Sequence, residues 1–416
     1  MSRRLVRPQG AILAAWGVVL AGVVAALHVG KLPPALQDLH EALNITLVQA
    51  GFLLSLVQLA GMSLGLLVGL AADGLGLKRS MLTGLLILGL ASALGGWAND
   101  APTLLFLRAV ESLGFLLVCL PGPSLIRHLV PPHRISTLLG LWGTYMPLGM
   151  ATALLLGPLF ISFGGWQLWW RVLAGLTLGM VFLLWRLVPA DSVREKSAKT
   201  SGHTQGKATW PQRLRQTLGS RGPWLVALSF AVYSGQWLAV VGFLPTVYAQ
   251  AGVAAGLTAV LTALVALVNM VGNIASGRLL DQGVQPRTLL NIGFAVMALG
   301  TLAAFATYPL TPQGIGLPPS IRFIAVLLFS MVGGLIPGTL FSLAVRLSPT
   351  EDAVSTTVGW VQQWSAFGQF FGPPLVAGLA SFVGGWHWTW GVTGLCCAVG
   401  LLLAWQIGKT AEKGSS

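Results

Sequence analysis

Arg108 and Glu111 stand three positions apart in a stretch, 101–126, that holds no other charged residue. On a helix that spacing puts both on one face, close enough to pair. An ionisable group held in apolar surroundings is costly unless paired or hydrated, which marks such residues as functional candidates. The Arg108 guanidinium could grip a carboxylate, a cyanate or a similar small anion through forked hydrogen bonds. Glu111 beside it could take up and release a proton. Arg322 stands about as far before Pro337 as Arg108 stands before Pro121, though out of register by two residues. It could be a second anion contact, or it could snorkel to lipid headgroups. His28 is the second proton candidate, since imidazole titrates near neutrality, and a satisfied interfacial group is the plainer alternative. Tyr233, Gln236 and Trp237 could hydrogen-bond a solute, as could Gln362, Gln363, Trp364 and Gln369. Such groups also bond neighbouring helices to one another.

Other chemistries find no support. His28, His40, His128, His133, His203 and His387 have no metal-ligand spacing, there is no phosphate-binding loop, and there is no nucleophile elbow. Cys119, Cys396 and Cys397 fall in apolar text and read as packing residues. An enzyme, an ATP-driven pump, a metal site and a cofactor site are therefore not expected.

The elements that must carry these residues follow from composition. Of 416 residues, 55% are hydrophobic and only 8% charged, with a mean hydropathy of +0.78. A soluble chain carries about 25% charged residues, so lipid must be the solvent for most of this one. The stretches 135–170, 222–277, 288–321 and 353–408 contain no Asp, Glu, Lys or Arg. Since about 20 apolar residues span a bilayer core, each holds one or two spans. The spacing predicts helices 1 to 12 near 11–30, 48–72, 80–98, 102–128, 135–161, 168–188, 223–247, 256–280, 288–308, 320–346, 353–379 and 387–408. The N-terminus, with Arg3, Arg4 and Arg7 before an apolar run, reads as a retained first helix rather than a cleaved signal. The tryptophans at 166, 169, 170, 386, 388 and 390 read as interfacial belts.

Lysines and arginines gather at the N-terminus, in the turns after helices 2, 4 and 8, in the tail, and above all between helices 6 and 7. By the positive-inside bias both termini and that linker face the cytoplasm. Lys31 is left alone in a loop on the other side. The net charge of +13 is thus a topological signal, not a nucleic-acid surface.

The chain also repeats itself in order. Gly69-x-x-x-Asp73 returns as Gly277-x-x-x-Asp281, and Leu120-Pro121-Gly122 as Ile336-Pro337-Gly338. Gly157-Pro158 returns as Gly372-Pro373, and Gly164-Gly165-Trp166 as Gly384-Gly385-Trp386. The expected fold is an all-α membrane protein of twelve transmembrane helices in two pseudo-symmetric six-helix bundles, 1–189 and 223–416, joined by a cytoplasmic linker at 190–222.

The segment from Gly69 through Asp73, Gly76, Lys78 and Arg79 resembles the helix 2–3 turn of the major facilitator superfamily, departing at Gly74 and Leu77 where basic residues are common. Helix 4, with Leu107-Arg108 and Glu111 before Gly114, is similar to that superfamily's Arg-containing helix 4. The resemblance implies secondary transport by alternating access. It gives Gly69, Asp73, Gly76, Lys78, Arg79 and Asp281 gating roles, and it places helices 1, 4, 7 and 10 around the cavity. The text of helices 4 and 5 is more weakly similar to bacterial cyanate/nitroimidazole-type permeases, although His28 stands where those carry an arginine. A second glycine pair expected after Gly157-Pro158 in drug/proton antiporters is missing.

The function these readings imply is proton-coupled movement of a small solute, preferably an anion, across the bacterial inner membrane. Proton-driven efflux of an amphipathic compound and a transport-like receptor without turnover are the alternatives. The expected partners are the small-molecule substrate, protons and the bilayer, with no nucleic acid, and a monomer is expected to suffice.

Overall fold

The computed structural model describes residues 8–131, 138–139, 141–191 and 209–413, with Gly69 and Asp73 described by backbone alone. Eleven helices among them are long and apolar enough to cross a membrane. One, Tyr145–Leu187, is two successive helices separated by a kink where Gly164 and Gly165 leave helical geometry. The count of spans is therefore twelve, as the sequence predicts. Helix 1 is Pro8–Gly30, helix 3 Leu77–Gly95 and helix 7 Arg221–Gln250. Helices 8, 9, 11 and 12 are Ala255–Asp281, Pro286–Phe305, Val354–Val383 and Thr389–Lys413.

Three spans are interrupted. Helix 2 runs Leu47–Ser55 and Leu59–Leu75 around a tight turn at Leu56–Gln58. Helix 4 divides into Ala101–Cys119 and Pro121–Leu129, and helix 10 into Pro319–Gly333 and Leu335–Arg346. The helix 4 break has a local cause: Pro121 has no N–H for the Leu117 carbonyl, which accepts instead from the Ser80 hydroxyl at 3.4 Å. The helix 10 break falls at the repeat's equivalent, beside Pro337.

Within each half, small residues let two helices meet closely, as lipid-embedded bundles require. Helix 1 lies on helix 5, where a Cβ on Gly149 would stand 2.5 Å from that of Ala26. Helix 7 lies on helix 11 in the same way, where a Cβ on Gly235 would stand 2.5 Å from the Gly368 carbonyl oxygen. The halves meet through helix 2 against helix 11 and helix 5 against helix 8. Away from the linker, the Phe52 ring packs edge-on to Phe370 at 6.3 Å.

Small elements fill the connections. A short helix Leu36–Leu43 follows helix 1, and a hairpin pairs Thr307–Tyr308 with Ile315–Gly316 between helices 9 and 10. The linker carries a helix, Trp210–Gly219, started by a reciprocal cap between Thr209 and Gln212. Its 192–208 part lies outside the described residues. Two expectations change. Trp166, Trp169 and Trp170 are 1–2% exposed, packed inside the N-terminal half rather than facing an interface. Lys31, assigned to a loop, is 0% exposed.

Candidate functional site

Four ionisable side chains converge inside the N-terminal half, and among the described residues nothing of the kind occurs in the other half. His28 lies on helix 1 and Lys31 just beyond its end, while Arg108 and Glu111 lie on helix 4; all four are at most 2% exposed. Glu111 is held from both sides. Its Oε2 accepts from Arg108 Nη1 at 2.7 Å, and its Oε1 accepts from Lys31 Nζ at 2.5 Å. Arg108 also ties backbones together, donating from Nη1 to the His28 carbonyl at 2.6 Å and from Nε to the Leu53 carbonyl of helix 2 at 3.0 Å. Its Nη2 has no partner. Leu53, Leu104, Leu107 and Trp170 close around it, leaving no room for a water molecule.

Lys31 is enclosed as completely. Its ammonium donates to Ser92 Oγ of helix 3 at 3.0 Å, lies 3.5 Å from His28 Nδ1, and sits 4.6 Å from the centre of the Trp170 ring on helix 6. Thr177 spends its own proton on the Leu173 carbonyl, so His28 Nε2, 2.7 Å away, must donate to the Thr177 oxygen. With the Lys31 ammonium facing Nδ1, that nitrogen is the acceptor and His28 is the neutral Nε2–H tautomer. The sequence-predicted Arg108, Glu111 and His28 are thus brought together. Lys31, Ser92, Trp170 and Thr177 are the partners that sequence reasoning missed, although Lys31 follows His28 at a helical spacing.

A cavity of about 70 Å³ lies between the halves, lined by Gln58, Phe115, Cys119 and Tyr145 from one half and by Gln362, Gln363 and Gln369 from the other. Among the described residues no charged side chain lines it. Amides also bridge the halves beside it: Gln58 Nε2 donates to Gln369 Oε1 at 3.0 Å, and Gln363 grips the helix 2 backbone through the Met62 carbonyl (2.8 Å) and the Leu66 N–H (2.9 Å).

The remaining candidates stay apart from these two places. Tyr233, Gln236 and Trp237 are buried and mostly partnered within the C-terminal half. The Tyr233 hydroxyl accepts from Asn269 at 3.0 Å, Trp237 donates to Ser330 Oγ at 3.0 Å, and Gln236 Oε1 accepts from the Cys397 thiol at 3.3 Å. Arg322 is half-buried at the end of helix 10 away from the linker, donating to the Ala304 carbonyl at 2.5 Å. It does not face Arg108 across a cavity.

In the helix 2–3 turn, Gly76 has φ +82°, and a Cβ there would stand 2.6 Å from Asp191 Oδ2. That carboxylate caps helix 3, accepting from the Lys78 and Arg79 N–H groups at 3.0 and 3.1 Å. Lys78 Nζ in turn donates to the Trp185 carbonyl at 2.8 Å and to that of Val188, at the end of helix 6. Asp191 is a further residue the sequence reading missed. The side chain of Asp73 lies outside the description, and Asp281 is exposed at the end of helix 8.

Residues 18–373 match the sequence profile of the Major Facilitator Superfamily. The chain belongs to this family, whose members are transporters. A bacterial homologue of the human lysosomal transporter Spinster, in an inward-facing and occupied conformation, superposes with a TM-score of 0.77 at 14% identity, covering 97% of both chains. The xylose transporter XylE from E. coli superposes with a TM-score of 0.73 at 15% identity over 96% of this chain and 98% of that one. At such identities these neighbours establish the fold. A methylenomycin A resistance protein of Streptomyces coelicolor is 29% identical over 57% of this chain and 47% of its own. A puromycin resistance protein of Streptomyces alboniger is 29% identical over 42% of this chain and 36% of its own. The chain thus spans less than half the length of the curated relatives it matches.

Proposed function

We propose that this facilitator exports a small, mainly uncharged amphipathic compound in exchange for protons, binding it in the amide-lined cavity between the halves. The observation that carries the reading is the cavity's chemistry. Its polar groups are glutamine amides, the Tyr145 and Ser365 hydroxyls and the Cys119 thiol, which offer donors and acceptors to a solute without demanding a charge. Phe115, Leu116 and Met146 supply the apolar wall that such pockets need. The relatives named for methylenomycin and puromycin resistance support the same direction and substrate class, and they outweigh the missing second glycine pair.

Proton handling falls to the buried cluster, which shares two helices with the cavity. Glu111 is four and eight positions before Phe115 and Cys119, on one face of helix 4. On helix 2, Arg108 holds the Leu53 carbonyl on one side of the turn at Leu56–Gln58, and Gln58 bridges to Gln369 at the end of that turn. A change in the cluster's charge therefore bears on the helix that meets the opposite half. Alternating access requires such a link between proton and solute.

A second reading is movement of a small anion at Arg108. The unpartnered Nη2 favours it, as does the surplus of cations over carboxylates, with Lys31 and Arg108 both on Glu111. Proteoliposomes separate the two, with a panel of labelled small acids and neutral amphipathic compounds, puromycin included. Neutral solutes that undergo counterflow and respond to a pH gradient support export through the cavity. Acids alone doing so supports the arginine site, and binding without counterflow would leave only a receptor.

A further inference from the structure

We infer that Lys31, not Glu111, is the group that gains and loses the coupled proton, while Glu111 stays ionised throughout as the fixed counter-charge. The inference deepens the proton-coupled reading above and rests on it for its role in transport.

Charge counting carries the argument. The groups facing the Lys31 ammonium are His28 from the end of helix 1, Glu111 from helix 4 with Arg108 behind it, Ser92 from helix 3, and Trp170 from helix 6. Arginine remains protonated in proteins, and the Lys31 ammonium facing His28 Nδ1 requires that nitrogen to be an unprotonated acceptor, which keeps His28 neutral. With Lys31 protonated the cluster carries two cations against one carboxylate, so a net positive charge lies wholly inside the bundle. Protonating Glu111 would raise that imbalance and cancel both of its ion pairs. Releasing a proton from Lys31 removes the imbalance and leaves the Arg108–Glu111 pair intact. Since uncompensated buried charge is the expensive state, the exchange that the cluster tolerates is the one at Lys31.

The geometry identifies which state is present. Lys31 Nζ is surrounded by three acceptors, Glu111 Oε1, Ser92 Oγ and His28 Nδ1, matching the three N–H bonds of an ammonium. Ser92 can accept because its own proton goes to the Trp170 carbonyl. This is the proton-loaded form. On release the amine keeps two donors and points a lone pair at one acceptor. The contact to give way is the longest, at 3.5 Å to His28 Nδ1, so the helix 1 side of the cluster loosens while Arg108 keeps its hold on helix 2.

The test reads protonation directly and needs no substrate. Protein carrying 13Cε-lysine and 13Cδ-glutamate is reconstituted in lipid and followed by NMR as pH is raised. The Lys31 signal is assigned by its loss in Lys31→Met and, independently, in Lys31→Arg. The expected result is that it passes from the ammonium to the amine shift well below the pH at which exposed lysines do so, while the Glu111 signal, assigned through Glu111→Gln, holds the carboxylate shift. A Lys31 signal that changes only together with exposed lysines overturns the inference, as does a Glu111 signal that titrates near neutrality. Transport supplies a separate outcome. Wild type that fails to respond to a pH gradient would end the coupling reading without touching the titration, whereas coupled wild type and equally coupled Lys31→Met would end the inference alone.

Discussion

The two halves share a scaffold and differ in their interiors. In each, a glycine-mediated crossing joins the first helix of the half to the fifth, and a break near proline divides the fourth. Yet the N-terminal interior holds two cations, a carboxylate and an imidazole. The C-terminal interior is joined by neutral bonds, among them Asn269 to Tyr233 at 3.0 Å, Asn269 to the Ser330 carbonyl at 2.8 Å and Thr393 to Thr301 at 2.8 Å. Small residues and prolines determine how helices meet, so a fold with two similar halves must repeat them. Ionisable groups are not needed for those shared crossings, so they are free to appear in one half only. On the proposed coupling, the asymmetry separates the labour: one half changes charge, and the other presents neutral groups against which it moves.

The largest break in that comparison is Glu111→Gln. It leaves Arg108 and Lys31 buried without a counter-charge, and removing one partner of a buried pair typically costs about 3–5 kcal/mol. The variant should lose much of its thermal stability in detergent, and should regain part of it when Lys31→Met is added. No single neutral substitution in the C-terminal network should approach that loss. Next come the shared crossings. Gly149→Ala and Gly235→Ala each place a methyl where no space exists, with an expected loss of about 1–3 kcal/mol. Similar shifts in melting temperature for the two would sharpen the view that the halves are built alike, and a large difference would weaken it.

The scaffold was legible in the sequence because its determinants are local: apolar length, glycine and proline position, and the placement of lysine and arginine. Arg108 and Glu111 were legible for the same reason, being charges in an apolar helix. Lys31 was not, because it follows the last turn of helix 1, next to Pro33-Pro34, where a lysine ordinarily ends a span in water. Only packing of helices 3, 4 and 6 around it turns that position inward. Gln58 and Gln363 were hidden differently, since what matters is that helices 2 and 11 face each other, and no periodicity within either states that. Trp170 was misread because a tryptophan near a helix end suits an interface equally well, and a buried ammonium beneath it is a tertiary fact.

A smaller effect is expected at the helix 2–3 turn. Asp191→Asn keeps a capping oxygen but loses the charge beside Lys78 and Arg79, with an expected loss of about 1 kcal/mol or less. Asp73→Asn should instead slow transport at nearly unchanged melting temperature, if its carboxylate favours one conformational state rather than the fold. Equal transport by Asp73→Asn and wild type in the same vesicles would remove the gating role.

The smallest effect should come from Arg322→Gln, and its smallness is informative. Arg322 resembles Arg108 in its place before the helix break, so a symmetric anion site would need both. The surroundings differ, however. Arg108 is fully enclosed and bonded to helices 1, 2 and 4, whereas Arg322 is half-buried at a helix end with the Ala304 carbonyl as its bonded partner. A partly exposed guanidinium on one backbone carbonyl contributes little net stability, and such substitutions usually fall within about 0.5 kcal/mol. A glutamine amide can also donate to Ala304. Melting temperature and counterflow of any transported solute should therefore stay near wild type, while Arg108→Gln should lower both. If Arg322→Gln instead abolished transport of acids but not of neutral compounds, the C-terminal half would carry a charge-reading role. The division of labour between the halves would then fail at the point where it makes its plainest claim.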